Sequence, residues 1–360
     1  MFSYILPFLI GLVVTFICTP FVKKLALRIG AVDKPNARKV HDRIMPRLGG
    51  LAIYLGFVAS VWWMVDDYKE IAALAIAATV VLVTGILDDK YDIRPTYKLL
   101  GQVIAAIIVV VFGVEMEFIH LPFSEVDTFN FGILSIPITI LWIVGVTNSI
   151  NLMDGLDGLA SGVTAIATGT MLVLAVMMGN IPVIILSAAL LGSLIAFLFY
   201  NFHPAKIFMG DSGSLFLGFM MAVLSLLGFK QAAFASLIVP ILILGVPLSD
   251  TAFAILRRVA NKRPISAPDK QHLHHCLLNM GLSHRATVLV IYGISLFFGA
   301  SAIFFSRATV WVEIMLLAVI FLLLTLGAEM IGIIHTTYKP VTNFFKRSKD
   351  VILRVVRVKS

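Results

Sequence analysis

Long apolar runs, each interrupted by a short polar stretch, dominate the chain. Eleven of them are candidates for the helices of roughly 17 to 25 residues that cross the hydrocarbon core of a bilayer. They lie near 4–22, 49–66, 71–87, 99–114, 132–147, 159–178, 181–199, 214–229, 232–256, 286–305 and 309–336. The pattern predicts an all-α integral membrane protein of about eleven transmembrane helices. It reads as one polytopic domain over 1–336 and a basic tail over 337–360. Between the fourth and fifth runs, EMEFIHLPFSEVDTFNF (Glu115 to Phe131) partly alternates apolar and polar residues, which predicts a short hairpin. The first run has no basic residue before it and Lys23 and Lys24 after it, so it is expected to be a retained span rather than a cleaved signal peptide.

Composition strengthens the membrane reading: of 360 residues, 59% are hydrophobic and 13% charged, and the mean hydropathy is +0.99, outside the range of ordinary soluble domains. Charge then orients the spans. Loops on one side, with the tail, carry 25 of the 28 Lys and Arg residues, and the other side only Lys69, Lys230 and Arg307. By the positive-inside rule the N-terminus is outside and the C-terminus cytoplasmic, which requires an odd number of spans. The net charge of +8 is thereby a topological signal, with attraction to anionic lipid, and needs no nucleic acid. The tail FFKRSKDVILRVVRVKS reads equally as an interfacial amphipathic helix or a stop-transfer flank. Cys18 and Cys276 sit in unlike surroundings and read as packing residues, not a disulfide.

Polar groups that hydrocarbon would reject gather at the inferred cytoplasmic ends of the spans. Asp88 and Asp89 close the third span, with Lys98 ten residues after Asp88. A carboxylate at membrane depth costs about 2.5–3.5 kcal/mol on insertion scales, so adjacent acids need water, a metal or a cation. In NSINLMDGLDGLASG, steps of three from Asn148 through Asn151 and Asp154 to Asp157 rotate by about 60° each and cannot share one helical face. The Asp-Gly pairs are turn signals, so the amides are expected on the last turn of the fifth span and the acids in a tight turn. In YNFHPAKIFMGDSGSLFLG, with Asn201, Lys206 and Phe208, small residues surround Asp211 at the start of the eighth span. A helix N-terminus there serves either a cap or an anion site. PDKQHLHHCLLNMGLSHR holds His272, His274, His275 and His284. It lacks the spacing of a strong zinc motif, and phosphate or sugar contact is as reasonable. A weaker cluster, ARKVHDRIMPRLGG, contains Lys39, His41, Arg43 and Arg47.

Acids with scattered Lys, Arg and His on one membrane face suit a phosphorylated ligand and a divalent cation. Mg²⁺ is held by one or two carboxylates completed by water and phosphates, and such a site performs phosphoryl transfer. A membrane setting points to one lipid substrate and one soluble one.

Four motifs carry a resemblance: LDDK at 87–90, NSINLMDGLDGL at 148–159, FMGDSG at 208–213 and HLHH at 272–275. In order and spread over most of the chain, they resemble the polyprenyl-phosphate N-acetylhexosamine-1-phosphate transferases. The histidine loop differs from that of the phospho-MurNAc-pentapeptide transferases, and with the eleventh span and basic tail it resembles the branch using UDP-GlcNAc, including enzymes that begin teichoic acid or O-antigen linkage units. The resemblance implies transfer of N-acetylglucosamine 1-phosphate from UDP-GlcNAc to undecaprenyl phosphate at the bacterial plasma membrane, with release of UMP. It implies Mg²⁺, or Mn²⁺, on Asp211 and Asn151, and Asp88, Asp89 and Asp211 as catalytic residues. Lys39 and Lys98 would contact phosphate; Asp154, Asp157, Asn201 and Phe208 would bound the nucleotide; His272, His274 and His275 would close over sugar and pyrophosphate. A homodimer is left open. The rival from another class, an ion-coupled transporter, predicts acids near the midplane and a repeat; the acids here cluster at one edge and no repeat is visible. The orientation is tested by C-terminal fusions in bacteria: a green fluorescent protein should fluoresce and an alkaline phosphatase stay inactive. The opposite pair of results would invert the topology.

Overall fold

A run of apolar residues in lipid has one economical solution, a helix that satisfies every backbone group internally, and helices account for nearly all of the structure. The computed structural model describes residues 2–33, 44–62, 69–116, 118–120, 128–229, 237–264, 269 and 271–331. Lys39 and most of its basic cluster, and the basic tail, lie outside the described residues. In chain order the helices are α1 (Phe2–Ile29), α2 (Gly49–Val61), α3 (Lys69–Tyr91), α4 (Pro95–Val111), α5 (Ser135–Met153), α6 (Leu159–Met178) and α7 (Ile181–Asn201). They continue as α8 (Gly210–Phe229), α9 (Ile238–Ile243), α10 (Gly245–Ala260), α11 (Leu273–Asn279), α12 (His284–Phe305) and α13 (Val310–Ile331). Two small antiparallel pairs complete it: β1 (Val32–Asp33) with β2 (Met45–Pro46), and β3 (Phe118–His120) with β4 (Thr128–Asn130). The second pair, with Ile119 opposite Phe129, is the hairpin expected between the fourth and fifth spans.

Each of the eleven apolar segments holds helix. Among the described residues eight helices are long and apolar enough to cross a membrane, namely α1, α3, α5 to α8, α12 and α13. Helices α2 and α4 are apolar but shorter. The segment 232–256, expected as one span, is instead broken at Leu244 into α9 and α10. Pro247 explains the break: without an N–H it cannot bond the carbonyl four residues back, and its ring clashes there.

Helix α8 is the most enclosed of the spans, 89% buried, against 11% for α13. Lipid tails are as apolar as leucine, so helices in a bilayer associate through close packing, and small residues permit it. Around α8 the small residues lie where neighbouring backbones meet. A Cβ on Gly50 of α2 would fall 2.1 Å from the Gly213 nitrogen, and one on Gly85 of α3 2.4 Å from the Ser212 Cα. One on Gly218 of α8 would fall 2.6 Å from the Thr147 Cα of α5. Backbone hydrogen bonds add to this fit: Gly49 and Gly50 donate to the Phe208 and Met209 carbonyls at 3.0 and 2.9 Å, and Phe208 donates to Pro46 at 2.8 Å. The loop entering α8 is thereby laced to the start of α2.

Gly50→Val should lower the thermal midpoint in detergent, at a cost of about 1–3 kcal/mol for an overpacked contact. Gly145→Ala, with open space around its Cα, should leave the midpoint unchanged. Equal midpoints for both variants and the parent would remove backbone contact as the determinant.

Candidate active site

The first amides of any helix lack intrahelical acceptors, and α8 finds its acceptor in another helix. Asp89, at the end of α3, accepts from the Asp211 and Ser212 amides at 2.8 and 3.0 Å. Its side chain is fully buried, with Arg47 Nε 3.6 Å from Oδ1. Deleting the carboxylate would strand two donors, each at about 1–3 kcal/mol. Gly210 makes the approach possible: its φ is +71°, and a Cβ there would meet the Arg47 carbonyl at 2.0 Å and the Asp89 carboxylate at 2.4 Å.

Its neighbour Asp88, about 100° around the same helix, has a different role. Lys98 Nζ of α4 lies 2.7 Å from Asp88 Oδ2 and 2.7 Å from Asp211 Oδ2, joining two acids of different helices. The other oxygen, Asp88 Oδ1, is buried with no hydrogen-bond partner. Asp211 also takes a bond from Asn151 Nδ2 of α5 at 3.2 Å and one from Arg47 Nη2 at 3.5 Å. Asn151 donates in addition to Ser214 Oγ at 3.2 Å. The structure thus brings together Asp88, Asp89, Lys98, Asn151 and Asp211, from α3, α4, α5 and α8. Asp154 borders them. Desolvation drives its carboxyl up to about 8, and the negative charges of Asp211 and Asp89 push the same way. Beside that carboxyl, Asp88, Asp89 and Asp211 face two cations, Lys98 and Arg47, an excess of acids over bases that suits a divalent ion.

The remaining candidates form a second group around the turn that follows α5. The amides fall on the last turn of α5 and the acids after it, as the rotation argument required. Asn148 turns aside, donating to Gln102 Oε1 of α4 at 2.7 Å. Asp157 Oδ2 takes hydrogen bonds from His203 Nδ1 at 2.9 Å and the Ala205 amide at 3.1 Å. His284 joins this pair, and one ligand atom from each of the three lies within 4.8 Å of the others. Asn201 braces the turn: its Oδ1 accepts from Ser161 Oγ at 2.7 Å and the Gly158 amide at 3.2 Å, and its Nδ2 donates to the Ile207 carbonyl at 3.1 Å. Phe208, partly buried, enters through the backbone pairing to α2. Tyr292 Oη donates to the Gly158 carbonyl.

The histidine loop reaches the same turn. A Cβ on Gly155 would lie 2.5 Å from His274 Nε2, so only glycine lets the ring sit this close. Desolvation holds the His274 imidazole down at about 4, with His275 adding to the effect, so it is neutral at pH 7. His275 lies against it, ring centroids 4.2 Å apart. His272 is held by Asp250 of α10, 2.8 Å from Nδ1 to Oδ2.

His203 and Tyr292 were not singled out by the sequence reading, and two charged participants escaped it as well. Arg47 stood in a basic cluster whose charge the topology already explained, and Asp250 stood alone inside an apolar run. A lone acid at that place was itself the signal. The cysteines are both free thiols, Cys276 buried.

Residues 71–229 match the model of glycosyl transferase family 4, a segment that runs from α3 through α8 and contains Asp88, Asp89, Asp154, Asp157 and Asp211. A Bacillus subtilis (strain 168) protein named probable undecaprenyl-phosphate N-acetylglucosaminyl 1-phosphate transferase is 48% identical over 349 residues, 96% of this chain and 97% of its own. The chain belongs to glycosyl transferase family 4. The resemblance carried by the four motifs is borne out, and with eight helices among the described residues long and apolar enough to cross a membrane the family makes this a multi-pass protein of the bacterial plasma membrane. Other relatives agree in kind. The decaprenyl-phosphate N-acetylglucosaminephosphotransferase of Mycobacterium tuberculosis (strain ATCC 25618 / H37Rv) is 36% identical over 83% of both chains. The undecaprenyl-phosphate alpha-N-acetylglucosaminyl 1-phosphate transferase of Escherichia coli (strain K12) is 29% identical over 75% of both.

A carboxyl whose folded pKa is raised binds protons that the unfolded chain releases, so its contribution to stability falls as pH rises. For Asp154 the window runs from the ordinary carboxylate range to about 8. In EDTA, the thermal midpoint of the parent should therefore decline from pH 5 to pH 8 more steeply than that of Asp154→Asn. Parallel declines would refute the raised carboxyl.

Proposed function

We propose that the chain transfers N-acetylglucosamine 1-phosphate from UDP-GlcNAc to undecaprenyl phosphate, at the cytoplasmic edge of the membrane. The observation that carries the reading is Lys98 held 2.7 Å from both Asp88 and Asp211, a cation shared between acids of two helices where two phosphates would meet. The names of the relatives give undecaprenyl phosphate as acceptor and N-acetylglucosamine 1-phosphate as the group transferred, and a sugar 1-phosphate is supplied by a nucleotide-activated donor such as UDP-GlcNAc.

The oxygen-rich set at Asp211 fits Mg²⁺ or Mn²⁺, which take carboxylate and amide oxygens. The unpartnered buried Asp88 Oδ1 and the excess of acids are what such an ion would answer. The group of Asp157, His203 and His284 has two imidazoles and suits softer metals. Asp211 and Asn151 would hold the ion, Asn151 through its amide oxygen. When bound, the ion neutralises charge on the phosphoryl oxygens of the donor.

An oxygen of the acceptor phosphate forms a bond to the β-phosphorus of UDP-GlcNAc as the bond from that phosphorus to the UMP oxygen breaks. The second pKa of a phosphate monoester is near 6, so the acceptor is mostly ionised at pH 7 and needs little general-base help. Asp88 therefore orients the acceptor through Lys98 rather than removing a proton. Lys98 and Arg47 balance the charge of the phosphates, while Asp89 acts by fixing the start of α8, and hence Asp211. Asp154 lies toward the donor's nucleotide; Asp157, engaged with His203, supports the turn that carries it. The histidines at 272, 274 and 275 form the wall on the sugar side.

Purified protein in detergent with Mg²⁺, UDP-GlcNAc and undecaprenyl phosphate should release UMP, and UDP-MurNAc-pentapeptide should not replace the donor. Asp211→Asn should lower the rate by about 100-fold or more, the scale of losing a group that stabilises transition-state charge, with the thermal midpoint retained. No UMP release with any UDP-N-acetylhexosamine would sink the proposal.

A further inference from the structure

Helix α10 contains an acid and a base seven residues apart, Asp250 and Arg257. At 3.6 residues per turn they lie within about 20° of each other, two turns apart on one face. Both are buried, at 5% and 6% exposure, and each grips a residue of the loop that returns from α10 toward α12. Arg257 donates to Asp269 Oδ2 from Nη2 at 2.6 Å and from Nε at 3.2 Å. Asp250 uses both oxygens: Oδ2 takes His272 Nδ1 at 2.8 Å, and Oδ1 takes the Leu273 amide, at the start of α11, at 2.8 Å. Asp269 Oδ1 in turn accepts from the Gln271 amide at 2.9 Å, linking the two grips through the loop backbone.

We propose that Asp250 and Arg257 form a two-point clasp that sets the position of the histidine loop, with Asp250 as a positioning residue acting through His272. Two grips in one direction along α10, Asp250 on His272 and Arg257 on Asp269, fix both the register and the sense of the loop, since a reversed loop would bring the Asp269 carboxyl against that of Asp250. Asp250 commits the Nδ1 of His272, so the chemistry left to that ring is that of Nε2. Rings 272 and 274 are nearly parallel, 6° between planes at 6.1 Å, and His274 rests on Gly155. The clasp therefore reaches the turn that carries Asp154. Leu273 and Cys276 of α11 pack with Phe253 of α10 and Ala328 of α13, so the clasped segment is also seated on the last described span.

The role in turnover rests on the transferase reading; the clasp itself does not, and two measurements on the full chain in detergent separate them. In hydrogen exchange without substrates, Asp250→Asn should speed uptake in peptides covering 269–279 by about tenfold, as for a locally opened segment, and leave α8 unchanged. Unchanged uptake at 269–279, or a rise spread evenly over the chain, would overturn the clasp. In the UMP assay, Asp250→Asn should lower kcat/KM for UDP-GlcNAc by about tenfold with KM for undecaprenyl phosphate unchanged. The double variant Asp250→Asn/His272→Gln should be no slower than His272→Gln, because residues acting through one another are not additive. Multiplying losses would overturn the action through His272. Where Asp250→Asn does not fold, Asp269→Asn at the outer end of the clasp is read by the same exchange criterion. A parent that releases no UMP defeats the transferase reading, and the exchange result still decides the clasp.

Discussion

Everything at the site follows from one mutual need. A carboxylate enclosed among helices requires donors, and the opening amides of an enclosed helix require acceptors. Asp89 and the start of α8 satisfy each other, so two spans distant in sequence are fixed end to end at a single point. Because α8 is the most enclosed span, that point is also the reference for α2, α3 and α5 around it. The acid pair of α3 divides its labour by helical geometry: Asp89 holds α8, and Asp88 turns toward Lys98.

Around this fixed centre lies a layer made of turns rather than spans. The segment 154–158 is braced from below by Asn201, from α12 by Tyr292, and from the histidine loop by His274. Each brace is directed at a glycine or its immediate neighbour, which lets bulky rings approach the backbone. The centre and the layer share Asp154, whose raised carboxyl registers the negative charge of Asp211 and Asp89. What reaches the turn is therefore felt electrostatically at the acids.

Much of this was legible before any coordinates. Apolar length marked every helical segment except the short α11 in the histidine loop, and the rotation between Asn148 and Asp157 separated amides from acids as the structure does. Clustering at one edge brought out Asp88, Lys98, Asn151 and Asp211. What could not be read was partnership. Nothing in the spacing of Asn201 tells that its amide is spent on the turn, nor that Asp89 is a cap for a helix 121 residues later, because such pairings arise only when helices are stacked. Arg47 was hidden by its own charge, which topology accounted for already. The break before α10 was signalled by Pro247 but outweighed by hydropathy, a measure blind to whether a backbone bond can form.

The glycine contacts of α8 have a further bearing on how such a site can change. Where Gly50 and Gly85 meet residues 212 and 213, backbone faces backbone, and no side chain lies between to be lengthened or shortened. The spacing of the acids is then a fixed gauge, set by van der Waals radii rather than by rotamers. Divergence among proteins built this way would have to leave the gauge alone and work on the turns and loops around it, so that the chemistry stays constant while the sugar admitted to it varies.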